Sequence, residues 1–79
     1  MKKYMIIERY KPGCFDKVYE RYHAHGRFLP EGLTYLNSWV NKEQNICFQL
    51  MESKNESLFQ EWIRHWNDLV DFEIVGIDQ

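Results

Sequence analysis

Apolar positions along the chain alternate with a period of two, take a helical period, alternate twice more, turn helical again and finally alternate, a succession that predicts the order βαββαβ. Lys3 to Tyr10 reads as strand one and stops at Lys11-Pro12-Gly13, where proline removes a ladder donor and glycine permits the turn. From Cys14 the residues Phe15, Val18, Tyr19, Tyr22 and Gly26 fall on one helical stripe, with Asp16, Lys17, Glu20 and Arg21 off it, so helix one is expected to fade at Gly26. Leu29-Pro30-Glu31-Gly32 breaks that helix. Strand two follows from Leu33 to Val40, a polar turn at Asn41-Lys42-Glu43-Gln44-Asn45, and strand three from Ile46 to Glu52. Ser53 or Asn55 then caps helix two, whose stripe is Leu58, Phe59, Trp62, Ile63, Trp66, Leu69 and Val70, and Phe72 to Ile77 closes the chain as strand four.

Two right-handed βαβ crossovers interleave into an α+β, ferredoxin-like arrangement: a four-stranded antiparallel sheet of order 4-1-3-2 with both helices on one face. No linker, repeat or low-complexity stretch interrupts residues 1–79, which predicts a single domain. In strand two one parity carries Leu33, Tyr35 and Trp39 and the other Leu36 and Val40; in strand three Ile46, Phe48 and Leu50 oppose Cys47, Gln49 and Met51. Both parities are substantially apolar, whereas a sheet with one wet face alternates cleanly. The helix-free face is therefore expected to pack against a second copy, making a homodimer through the open sheet face.

Composition narrows the partners. The 16% aromatic content and a net charge of only −2 argue for an ordered domain. Lys and Arg are scattered without a basic stripe, so no nucleic-acid or anionic-membrane partner is expected. Met1-Lys2-Lys3-Tyr4-Met5-Ile6-Ile7 imitates the start of a signal peptide, but Glu8 and Arg9 end the apolar run, and no stretch approaches the roughly 20 apolar residues that span a bilayer. Two cysteines, Cys14 and Cys47, without C-x-x-C spacing read as free thiols, the alternative being a single Cys14–Cys47 disulfide, and the chain as cytoplasmic.

Candidate chemistry is sparse. Ser38, Ser53 and Ser57 lack a nucleophile-elbow context, glycine-rich phosphate loops are absent, and Cys14 at a helix start is the one thiol with a route to activation. His23 and His25 sit on opposite flanks of the helix-one stripe and diverge too widely to share a metal, so no metal is expected; one of them can reach a pocket as an acid or base, the alternative being a solvated imidazole. Trp62 and Trp66 lie mid-stripe, where core packing competes with lining a pocket, while Trp39 ends a strand and can roof a pocket or pack at a dimer seam. Glu8 and Arg9 must point to opposite faces; Arg9 either pairs with Glu52 or Asp71 or binds an anion.

Pro30-Glu31-Gly32, Trp39, Glu52 and Trp66-Asn67-Asp68-Leu69-Val70-Asp71-Phe72-Glu73 together resemble a small bacterial family known only as a domain of unknown function, within the dimeric α+β barrel superfamily. The resemblance implies a pocket between helices and sheet, and it brings in relatives that include cofactor-free monooxygenases, lactone isomerases, haem-degrading enzymes and stress-responsive proteins, a range across which the fold does not choose. The leading expectation is a homodimeric small-molecule-binding protein without a cofactor, enzymatic status open, acting as an oxygenase or isomerase on a compact aromatic or acidic substrate, with Arg9, His23, Trp39 and Trp66 as ligand-binding candidates. The alternatives are a non-catalytic interaction module with a filled core, and haem binding with His65 as ligand, although strand one lacks the Asn that the haem-degrading relatives carry there. The dimer is checked by sedimentation or light scattering at micromolar concentration: twice the 9.7 kDa chain mass is expected, and a monomer refutes it.

Overall fold

Alternation sorts the first strand into two faces. In the computed structural model, which describes residues 1–78, β1 (Lys2–Tyr10) buries Tyr4, Ile6, Glu8 and Tyr10 on one side and exposes Arg9 on the other. It lies inside an antiparallel sheet of order β2-β3-β1-β4, with β2 spanning Leu33–Asn41, β3 Ile46–Ser53 and β4 Val70–Ile77. This is the expected order, read from the opposite edge. The helices α1 (Phe15–His25) and α2 (Ser57–Ile63) both pack on the side of Tyr4, Ile6 and Met51: α2 supplies Phe59 and Trp62, α1 supplies Val18 and Tyr22. Phe59, Ile6 and Met51 are each 0% exposed. The Phe59 ring meets Tyr4 edge-on at 4.8 Å, and Trp62 meets Phe72 at 5.3 Å, the offset geometry that aromatic quadrupoles favour.

Helix α1 stops where its stripe fades. Gly26 takes φ 75°, a left-handed dihedral that glycine adopts without steric cost, and its N–H bonds back to the Tyr22 carbonyl at 2.7 Å. Helix α2 is shorter than its stripe. It ends at Ile63, and residues 64–69 continue as tight turns in which the N–H groups of His65, Trp66 and Leu69 bond the carbonyls three residues back, at Trp62, Ile63 and Trp66. Three-residue spacing keeps Trp66 and Leu69 inward after the α-helix has ended, which is why periodicity reads as uninterrupted helix. Val70 opens β4 two residues before the expected start at Phe72. At the other end, Asn55 Oδ1 accepts the Ser57 N–H at 2.9 Å, and Ser53 Oγ in turn accepts the Asn55 N–H at 3.2 Å.

The largest departure from the expected pattern is in β2. Tyr35 lies opposite Met51 and Ser38 opposite Gln49, with a bulge between Tyr35 and Asn37 that leaves Leu36 unpaired. One extra residue reverses every side chain beyond it. Tyr35 and Ser38 thus share the helix-covered face, while Trp39, expected on the same face as Tyr35, stands opposite Phe48 on the helix-free side and is 50% exposed. Half-buried Met5, Ile7, Phe48 and Leu50 share that side with it.

Arg9 also lies on the helix-free face. It is directly opposite Asp71, but its guanidinium donates to Glu73 at 3.0 Å, correcting the expected pairing with Asp71 or Glu52. The long side chain leans along the strand to its diagonal neighbour, as cross-strand spacing permits, and Lys11 takes Asp71 at 4.0 Å. Arg21 fastens α1 to the connector before β4 through two 2.8 Å bonds to the Asp68 carboxylate and a 2.7 Å bond to the His65 carbonyl. Among the described residues no helix is long and apolar enough to cross a membrane. With Phe59 wholly enclosed, Phe59→Ala is expected to cost about 3–5 kcal/mol in urea denaturation, a large share of a small domain's stability; a loss under about 1 kcal/mol contradicts this packing.

Candidate functional site

Across the helix-covered face of the sheet runs a short polar row in an otherwise apolar surface: Ser38 on β2, Gln49 beside it on β3, and Glu8 on β1. Above the row is a cavity of about 120 Å³, walled by Tyr19 and Tyr22 of α1, Trp62 and Trp66 from α2 and its connector, and Arg27 from the loop between α1 and β2. It reaches the edge of the sheet at Val40, which is 44% exposed although it shares the helix-covered face.

Glu8 is 4% exposed and accepts a hydrogen bond from Gln49 Nε2. Burial raises its pKa to about 7, against the opposing effects of the Gln49 bond and the Arg27 charge, so the carboxyl changes charge near neutrality. Gln49 is left with its Oε1 buried and unpartnered. An acceptor in that state lacks a donor that water or a bound molecule can supply.

Arg27 is aimed by its surroundings. Its carbonyl oxygen accepts the indole N–H of both Trp62 and Trp66, each at 3.0 Å. The next residue, Phe28, takes φ 62°, a left-handed dihedral that costs a bulky residue about 1–2 kcal/mol. Stacking of Phe28 on His65, 4.5 Å between centroids and 5° between planes, and an edge contact with Trp66 at 5.9 Å hold it there. The Arg27 guanidinium lies 3.7 Å from the centre of the Tyr35 ring and donates to Tyr22 Oη at 3.2 Å. The Tyr35 and Ser38 hydroxyls share a 2.7 Å hydrogen bond, which ties that ring to the polar row.

The remaining polar groups are poor nucleophiles. Burial pushes the Cys47 thiol up to about 11, with the nearby Glu8 charge acting in the same direction, so it stays protonated at neutral pH. Tyr10, raised well above the ordinary phenol range first by burial and then by the proximity of Cys47 and Glu8, holds its proton as well. The chemistry this leaves is proton exchange at Glu8 beside a fixed guanidinium, within aromatic walls.

Of the four candidates read from the sequence, Trp66 lines this cavity. His23 is exposed on α1, with the neighbouring Tyr22 turned inward in its place. Arg9 and Trp39 lie on the opposite side of the sheet, the first by strand alternation and the second because of the bulge. His65, the candidate haem ligand, is exposed and stacked on Phe28 rather than lining the cavity. Sequence reasoning missed Glu8, Gln49 and Arg27. A signal existed for the first: adjacent charges in a strand send one of them inward. Arg27, in a non-periodic break between Gly26 and Leu29, carried none.

A family model described as "Domain of unknown function (DUF3303)" matches residues 2–77. The chain belongs to that family. No curated protein and no solved structure matches it. The family description assigns no chemistry, so Glu8, Gln49 and Arg27 rest on geometry alone.

A carboxyl whose pKa is raised in the folded state binds its proton more tightly there than in the unfolded chain, so stability falls as pH rises from about 4.5 to about 7. The loss is of order 3 kcal/mol and is complete above pH 7. Urea denaturation of Glu8→Gln is expected to remove this slope, leaving the variant more stable than the parent at pH 8; parallel pH profiles contradict the assignment.

Proposed function

We propose that the protein binds a single-ring small molecule in the cavity between helices and sheet and moves a proton on it through Glu8. The observation that carries this reading is a carboxyl buried against an aromatic cavity and titrating near neutrality, where a general acid or base is most effective. The volume limits the ligand to one ring: a cavity of roughly 150 Å³ holds benzene, this one is somewhat smaller but opens to solvent at Val40, and drug-sized ligands need about 300 Å³ or more. Among the reactions open to such a site, isomerisation is the one these residues supply by themselves. Ionised Glu8 removes a proton from a carbon acid and returns it to a second carbon of the same ligand, leaving the enzyme unchanged. A cofactor-free oxygenase begins with the same proton removal.

We further propose that two copies meet through the helix-free face. Trp39, at 50% exposure, and the neighbouring Phe48 and Leu50 support this, since together they make an apolar surface unusual for a monomer.

Titration with phenol, followed through the fluorescence of Trp62 and Trp66 at the cavity wall, is expected to saturate with a Kd of about 1 mM or tighter. Ser38→Phe, which fills the cavity from the edge strand, is expected to abolish the response with an unchanged far-UV spectrum. A flat titration of the parent chain overturns the binding reading and favours a filled interaction module. For the proton-transfer step, wild-type protein is expected to accelerate deuterium exchange at the carbon acid of phenylacetaldehyde, with at least about a tenfold loss in Glu8→Gln.

A further inference from the structure

We infer that the cavity selects compact aromatic monocarboxylates, with the Arg27 guanidinium taking the carboxylate and Gln49 Oε1 accepting a hydrogen bond from a donor on the ring; this rests on the cavity being a ligand site. Arg27 carries the choice of an anion. Among the described residues it forms no ion pair, and one of a guanidinium's five N–H donors is engaged, on Tyr22 Oη. The fork therefore retains the paired donors that fit a carboxylate bidentately. It is held for the purpose as well: the carbonyl is pinned by two indoles, the ring of Tyr35 lies 3.7 Å beneath, and the following residue keeps a dihedral that its own side chain disfavours. Backbone strain maintained by packing is characteristic of segments that present a functional group.

Gln49 supplies the second point of recognition. Its Nε2 end is committed to Glu8, so the unpartnered Oε1 asks for a donor. A hydroxyl on the ring answers it. Tyr22, Trp62 and Trp66 make the walls flat and apolar, which suits an aromatic ring between the two polar contacts.

Charge balance links binding to a proton. With Glu8 ionised, its charge offsets that of Arg27; a ligand carboxylate then places two negative charges against one positive in a region of low dielectric. Protonation of Glu8 restores neutrality, so with a carboxylate ligand the isomerisation runs acid first: Glu8 gives its proton to one carbon, and the carboxylate so formed removes a proton from a second carbon of the same ligand. The other titratable groups around Glu8 are Tyr10 on β1, Cys47 on β3, Tyr19 and Tyr22 on α1 and Arg27 itself, while α2 and its connector contribute two indoles and β2 an uncharged serine. Tyr10 and Cys47 hold their protons more firmly than usual, so neither competes for this role.

The test compares benzoate, 4-hydroxybenzoate and benzyl alcohol by isothermal titration on the intact protein. At pH 6.5 benzoate is expected to bind at least about tenfold tighter than benzyl alcohol, the scale of a charge-assisted bidentate contact, and 4-hydroxybenzoate tighter again. Arg27→Gln is expected to bring benzoate and benzyl alcohol to equal affinity while benzyl alcohol still binds. From pH 7 to 9 the affinity for benzoate is expected to drop about tenfold per unit in the parent and to stay level in Glu8→Gln. Equal affinities for benzoate and benzyl alcohol in the parent chain overturn this inference and leave the cavity reading standing. Binding of none of the three overturns both. Because that comparison uses the unaltered protein, it decides the matter even if Arg27→Gln fails to fold.

Discussion

One carbonyl oxygen holds the helical layer to its loop. The backbone oxygen of Arg27 receives two indole N–H groups that α2 and its connector would otherwise bury without a partner. An unsatisfied buried donor costs about 1–3 kcal/mol, so the pair of tryptophans and the loop require each other. The same contact sets where Arg27 stands, next to the left-handed Phe28, and where the guanidinium meets the Tyr35 ring beside the cavity it lines. Packing and site are here one arrangement: the two indoles close the core and aim a loop residue at the polar row.

That row shows how a small sheet keeps a carboxyl indoors. Glu8 has a single hydrogen bond from Gln49 and the field of Arg27 to offset the loss of water, and these leave the neutral and ionised forms close in free energy at physiological pH. Cys47, from the same layer, has the Tyr10 hydrogen bond and the same Arg27 field in its favour, but burial and the nearby Glu8 charge outweigh them and it stays a thiol. Burial acts on both groups; what separates them is the higher ordinary pKa from which a thiol starts and the Glu8 charge that stands beside it.

The order of the elements, the order of the strands and the end of α1 at Gly26 were legible because each follows from local rules: period, turn chemistry and handedness. Two things were hidden. Three-residue turns after Ile63 keep the same inward spacing as a helix, so Leu69 and Val70 read as its last turn. The bulge at Leu36 has no glycine to mark it, and an unbroken alternation across it sends Trp39 to the wrong side. The site was harder still, because it is assembled from one residue on each of three strands and one loop residue. The inward charge at position 8 could be inferred from its neighbour. What it would meet there depended on register, which hydrophobic patterning leaves open.

The bulge has a consequence for how this molecule can change. The single unpaired residue in β2 decides which half of the edge strand looks inward. With Leu36 paired into the ladder, Asn37 and Trp39 would stand beneath α1 in place of Ser38 and Val40; with Leu36 deleted, Asn37 would follow Tyr35 directly and the serine that anchors the polar row would keep its inward place. A point deletion there is absorbed by straightening the edge strand, so the bulge is a spare residue that can be lost without exchanging the lining of the interior for the outer coat of the sheet.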